Sequence, residues 1–197
     1  MIEARNHARL ILASASPRRK YLLEQAGLRF TVIPGDLDEN AITAASPDAQ
    51  VRLLAEAKAE AIARRHPEAW VIGADTMVVI GGRILGKPAD TEEARHMLRQ
   101  LSGQRHQVHT GFAILCRERK RRFSATVTTE VEFKTLSPAE IEWYLQTGEP
   151  FDKAGAYAIQ GIGTFLVRRI DGSYTNVVGL PVCEVIEVLI AEGVLKY

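Results

Sequence analysis

The chain has 197 residues, 46% of them apolar and 25% charged, with a formal net charge of +1. That length holds one substantial α/β core or two closely joined lobes, with the composition of an ordinary globular protein. The balance excludes a global basic field for nucleic acid, two cysteines exclude a disulfide-built fold, and no apolar run approaches the ~20 residues that span a bilayer.

The stretch Met1 to His7 lacks the apolar core of a secretory signal, so the expected location is cytoplasmic. Arg9 to Ala13 reads as a buried strand broken by Ser14-Ala15-Ser16-Pro17. Ser16 is the predicted N-cap, Pro17 the first helical residue and Gly27 the stop of a helix. Phe30 to Ile33 is a second strand. Ser46-Pro47 opens a longer helix to about Arg65, with Leu53, Leu54, Ala57, Ala61 and Ile62 as its expected buried stripe. Trp70 to Ala74 is a third strand that places Asp75 at its carboxyl edge, and Met77 to Ile80 continues extended.

Gly81-Gly82 is a hairpin signal returning through Arg83 to Leu85. Asp90 with Glu93 fits a capping box for a helix ending near Gly103. Strands are predicted from Gln107 to Cys116 and from Phe123 to Phe133, joined by the charged tip Arg117 to Arg122. Ser137-Pro138-Ala139-Glu140 starts a helix that Gly148 stops. Thr164 to Ile170 and Tyr174 to Val178 flank Asp171-Gly172, read as another hairpin. Pro181 opens a final amphipathic helix. Cys116 and Cys183 both read as small core residues. Helices and strands alternate early and hairpins come late, which points to α/β with a mixed sheet.

Five constellations are candidates for chemistry. In Ser14-Ala15-Ser16-Pro17-Arg18-Arg19-Lys20, two hydroxyls and three cations crowd a helix N-terminus, a device for phosphate that also serves as an ordinary cap with solvated arginines. Asp75-Thr76 follows an apolar strand; an Asp there holds a divalent cation, orients a water, or caps a turn. Asp36-Leu37-Asp38-Glu39-Asn40 offers a metal ligand or a solvated acidic loop. Gly81 to Pro88 nearly matches the P-loop spacing, but Pro88 replaces the hydroxyl residue; Lys87 remains a candidate phosphate contact. Phe151 to Gly163 is rich in small residues and reads either as a glycine-rich connection between sheet segments or as a ligand loop, with Lys153, Tyr157 and Gln160 able to supply charge, stacking and base-edge hydrogen bonds. His106 and His109, three apart in a strand, face opposite sides and do not share a metal.

Six segments in order resemble the Maf family of nucleotide pyrophosphatases from Leu10 to about Leu189. They are Ser14-Ala15-Ser16-Pro17-Arg18-Arg19, Gly73-Ala74-Asp75-Thr76, Leu85-Gly86-Lys87-Pro88, Leu101-Ser102-Gly103, Asp152-Lys153-Ala154-Gly155-Ala156-Tyr157 with Ile159-Gln160-Gly161, and Val178-Gly179-Leu180-Pro181. The resemblance implies one domain over residues 1–197, with two lobes allowed around a deep cleft. It implies an α/β fold of mixed twisted sheet flanked by helices, similar to the inosine triphosphate pyrophosphatases. The implied activity is hydrolysis of a nucleoside triphosphate to the monophosphate and pyrophosphate, aided by Mg²⁺ or Mn²⁺. Asp75 matches the family's proton acceptor, and Arg18, Thr76 and Gln160 match positions of substrate choice. The expected phosphate contacts are Ser14, Ser16, Arg19, Lys87 and Lys153, and the expected metal ligands are Glu39 and Asp75. The pattern looks like the branch acting on dTTP and UTP; a sister branch prefers 7-methyl-GTP. Ala158 stands where many relatives have Gly. The expected partner is the nucleotide, with no nucleic acid and no membrane, and a homodimer is left open. The rival reading is a nucleotide-binding regulator of cell division without turnover.

Overall fold

The computed structural model describes residues 3–4 and 9–196; of the stretch Met1 to His7, only Glu3 and Ala4 lie within them. The chain runs β1 (Glu3–Ala4), β2 (Leu10–Leu12), α1 (Pro17–Gln25), β3 (Thr31–Val32), a 3-10 turn (Glu39–Ala41), α2 (Pro47–Ala63), β4 (Trp70–Ile80) and β5 (Arg83–Leu85). It continues as α3 (Thr91–Leu101), β6 (Arg105–Cys116), β7 (Arg121–Phe133), α4 (Pro138–Gln146) and 3-10 turns at Glu149–Asp152, Ala154–Ala156 and Gly161–Leu166. β8 (Val167–Asp171), α5 (Tyr174–Val178), α6 (Val182–Ala191) and β9 (Leu195–Lys196) complete it. One sheet has the order β3-β2-β4-β6-β7-β8, with β5 on β4, and β1 pairs with β9. β2 is parallel to β3 and β4, whereas β5 on β4 and β8 on β7 are antiparallel, so the sheet is mixed as the alternation implied.

Local chemistry explains the element ends. Ser16 Oγ accepts from Arg19 N, with Pro17 at the first helical position. Ser137 and Glu140 complete a reciprocal capping box on α4. Gly81 and Gly82 both have positive φ, +54° and +77°, the two-residue turn that lets Ile80 pair with Arg83.

The chain forms two compact units. The first holds the described residues of Met1–Asp75, Thr110–Val127 and Gly179–Tyr197. In its core, Ala55, Ala59, Ile62 and Ala63 of α2 pack on Ile11, Val71, Ala113 and Leu115. The approach is backbone to backbone: a Cβ on Gly73 would lie 2.3 Å from the Ala55 carbonyl oxygen, and one on Gly111 2.3 Å from that of Val51. This approach turns the helix relative to expectation. Val51, Leu54, Ala55, Ala59, Ile62 and Ala63 form the buried stripe, Ala57 and Ala61 are half-buried, and Leu53 is exposed. Ala55 and Ala59 lie against Gly73, and the Val51 backbone lies against Gly111.

The second unit holds Thr76–His109 and Thr128–Val178. Its core joins Leu98 and Leu101 of α3, Ile141 and Leu145 of α4, and Val131 and Phe133 of β7. The expected hairpin at Asp171-Gly172 does not form. β8 pairs with β7, and residues 174–178 are helical. Ser173 Oγ accepts from Asn176 N, and the buried Asn176 amide donates to the Val108 carbonyl and Thr129 Oγ1. These bonds stabilise a capped turn over an extended strand. Cys116 is buried as expected, but Cys183 is exposed, because α6 turns Val185 and Leu189 inward instead.

Candidate active site

In the first unit, the Ser14–Arg19 turn is internally organised. Ser14 is buried, and its Oγ accepts from Ser16 N at 3.2 Å and from the Arg19 guanidinium at 3.1 Å. Arg19 Nε donates to the Gly179 carbonyl at 2.8 Å, so Arg19 fastens this turn to the segment before α6. Burial lowers the Arg19 pKa from its ordinary value; the negative charges of Asp75 and Glu39 oppose that shift and Arg18 adds to it. The turn, Asp75 and Glu39 thus share one electrostatic neighbourhood.

Asp75 is not at the carboxyl edge of its strand. It is the sixth residue of an unbroken eleven-residue β4. The β4 residues 70–72 pair with β2 and residues 78–80 pair with β5, so Asp75 occupies the interval between those pairings. The carboxyl edge that leads into the Ser14–Arg19 turn is that of β2, which ends at Leu12, two residues before Ser14. Asp75 is 8% exposed.

Its partner is Lys58 of α2, a residue the sequence reading missed. Lys58 Nζ lies 2.7 Å from Asp75 Oδ1 and 2.9 Å from Glu39 Oε1. The geometry follows from the close packing of helix on strand. Gly73 and Asp75 project from the same strand face, and Gly73 abuts Ala59, the residue after Lys58. The available signal was a lysine set in the alanine-rich stretch 55–63. Alternation along β4 sends Thr76 to the opposite face from Asp75, so the pair adjacent in sequence does not act from one face.

Two carboxylates converge on one ammonium, which already compensates part of their charge. Mg²⁺ and Mn²⁺ take one or two carboxylates and complete their shell with phosphate oxygens and water. Glu39 and Asp75 fit that need. Among the described residues no group of three or more His, Cys, Asp or Glu could hold a metal ion.

The second unit carries the other expected residues. Thr76 and Gln160 are half-buried and Lys87 is exposed. The Lys87 loop is tied to the Lys153 turn by Gly155 N donating to the Gly86 carbonyl at 3.0 Å. Lys153 is folded onto its own turn, with Nζ 2.6 Å from the Glu149 carbonyl oxygen and 2.5 Å from Asp152 Oδ1. Tyr157 packs in the core, its hydroxyl 2.7 Å from His106 Nε2 and its ring edge-on to Phe133. Burial pushes the Tyr157 phenol above its ordinary range and lowers His106 to about 4. The two histidines of β6 diverge as expected: His106 meets Tyr157, and His109 Nδ1 lies 2.8 Å from Thr128 Oγ1.

Comparison with known proteins bears on these groups. The chain is 53% identical over 190 residues to the dTTP/UTP pyrophosphatase of Geobacter metallireducens, covering 96% of this chain and 98% of that protein. It is 50% identical over 196 residues to the dTTP/UTP pyrophosphatase of Geotalea uraniireducens, covering 100% of each. The Ham1 protein structure from Staphylococcus aureus matches with a TM-score of 0.50 at 16% identity, over 93% of this chain and 99% of that one, a likeness of fold. The family model described as Maf-like protein matches residues 9–192, and the chain belongs to that family.

Proposed function

We propose that the protein hydrolyses dTTP and UTP to the monophosphate and pyrophosphate. The observation that carries this reading is the buried Asp75 carboxylate, held by Lys58 with Glu39 on the same ammonium, in a chain half identical to dTTP/UTP pyrophosphatases. A protein that only bound triphosphate would gain little from two carboxylates beside the phosphates; a hydrolase needs one to orient and deprotonate water.

In this reading, the helix N-terminus at Ser16 and the hydroxyl of Ser14 receive phosphate oxygens, and Arg19 holds the turn in shape. Arg18 contributes positive charge and substrate choice. Asp75 accepts the proton as water attacks the α-phosphorus; the bond to the bridging oxygen breaks, and pyrophosphate leaves with the electron pair. Lys58 fixes the Asp75 carboxylate during attack and offers positive charge to the developing phosphorane. A divalent cation brought with the triphosphate would be held by Glu39 and Asp75 and would screen the phosphate charge. Thr76 and Gln160 choose the pyrimidine, and Lys87 and Lys153 hold the departing phosphates. Removal of modified pyrimidine nucleotides would be the same chemistry on an altered base.

The test is product analysis with dTTP, UTP, CTP, 5-methyl-UTP and 7-methyl-GTP in Mg²⁺. The expected products are dTMP or UMP with pyrophosphate. Release of orthophosphate would refute α–β cleavage, and nucleotide bound but unchanged would favour the non-catalytic regulator. Asp75→Asn is expected to lower kcat by roughly 10³-fold or more with the fold retained, as read by circular dichroism; full activity would dismiss its central role.

A further inference from the structure

Three fastenings hold the segment that carries Gln160. Before it, the Tyr157 hydroxyl is held at His106, and Ala158 N donates to Tyr144 Oη at 3.2 Å. After it, Ile162 N and Gly163 N donate to the two oxygens of the Glu149 carboxylate, each at 2.9 Å. Tyr144 Oη closes the circuit by donating to Glu149 Oε1 at 2.8 Å. One carboxylate therefore accepts three hydrogen bonds, and one buried phenol both donates and accepts, on the two flanks of Gln160.

The surrounding glycines are what make the clasp fit. A Cβ on Gly161 would lie 2.5 Å from Glu149 Oε2, and Gly161 itself has φ +66°. A Cβ on Gly163 would lie 2.4 Å from the Ala158 carbonyl oxygen and 2.7 Å from Tyr144 Oη. Burial and the adjacent carboxylate keep the Tyr144 phenol protonated, so it remains a donor. Gln160 has a long side chain that reads a base edge only if its backbone is fixed to a fraction of an ångström. The clasp supplies that fixation without contributing an atom of its own to the proposed chemistry.

We propose that Glu149, acting through Tyr144, is the positioning residue that sets Gln160 against the substrate base and thereby governs discrimination among pyrimidine triphosphates. This rests on the reading of Gln160 as a substrate-choice residue.

Glu149→Gln keeps the shape of the side chain but leaves one acceptor oxygen for three donors. Tyr144→Phe keeps the buried ring and removes both of its hydrogen bonds, and serves if the first variant does not fold. Two readouts are taken. In nucleotide-free protein, hydrogen exchange of the amides in 158–163 is expected to quicken by about ten-fold or more in either variant. Binding of the non-hydrolysable α,β-methylene analogues of UTP and CTP is then measured. The wild-type preference for the uridine analogue is expected to fall about ten-fold in the variants, mainly through weaker uridine binding. Faster exchange with an unchanged preference would overturn the positioning role and leave a structural one. Unchanged exchange would overturn the clasp, and a wild type with no preference between the analogues would overturn the proposal outright. A wild type that prefers the uridine analogue yet hydrolyses no triphosphate sinks the hydrolase reading and leaves the clasp standing.

Discussion

Lys58 donates to two carboxylates at once, and its side chain is only 13% exposed. Removing it leaves Asp75 buried beside another negative charge. Lys58→Met is expected to cost about 2–3 kcal/mol of stability in metal-free buffer, the penalty of an uncompensated buried charge. Added Mg²⁺ should restore part of the variant's melting temperature while moving the wild type little. A variant as stable as wild type in chelator would show that the ammonium is dispensable for charge balance. At this scale the sequence was legible where chemistry is local. Ser14, Ser16 and Arg19 meet within one turn, so their spacing announced them. Lys58 is 17 positions from Asp75 and 19 from Glu39, and only the seating of α2 on β4 brings them together. Arg19 was legible as a cation beside a helix start, but not as the strut to the Gly179 carbonyl, a contact 160 positions away in the chain.

Among the elements, boundaries written in capping chemistry were legible. Ser16-Pro17, Asp90 with Glu93, and Ser137 with Glu140 each open a helix where expected, with a side-chain acceptor on the N3 amide. The face of α2 was not legible, because its seating depends on two glycines in β4 and β6 rather than on its own periodicity. Gly111→Ala puts a methyl 2.3 Å from the Val51 backbone, which cannot move without moving the helix. It is expected to destabilise by about 3 kcal/mol or more. Gly86→Ala, with nothing within 4 Å of the new methyl, is the control and should melt within about a degree or two of wild type. Equal melting temperatures for both would show that the helix yields. The Asp171-Gly172 misreading has the same origin: a turn dipeptide was visible, but the buried Asn176 bonds that make residues 174–178 helical were not.

At the scale of the molecule, the near-zero net charge comes with ion pairs among the described residues. Around the tip 117–122, Arg117 and Arg122 reach Glu60, and Arg121 reaches Glu192, so those cations do not form an open basic surface. No helix among the described residues is long and apolar enough to cross a membrane. Global stability should respond to acid through His106. Burial holds its folded pKa at about 4, while the unfolded chain takes up the proton near ~6.5. The contribution is fully present above the unfolded value, is lost as pH falls from there to about 4, and levels off below. From pH ~7 to ~5 the loss should be about 2 kcal/mol, read by urea unfolding, and His106→Gln should flatten that slope. An unchanged slope would move the effect to other groups. Glu140, held at about 2 chiefly by Lys134, acts in a lower window, between its ordinary value and about 2. The backbone contact of α2 at Gly73 and Gly111 has a mechanical consequence as well. A helix resting on side chains can rock as rotamers change; one resting on bare backbone is a stiff mount. Lys58 and Asp75 share that mount, so their separation is set before substrate arrives.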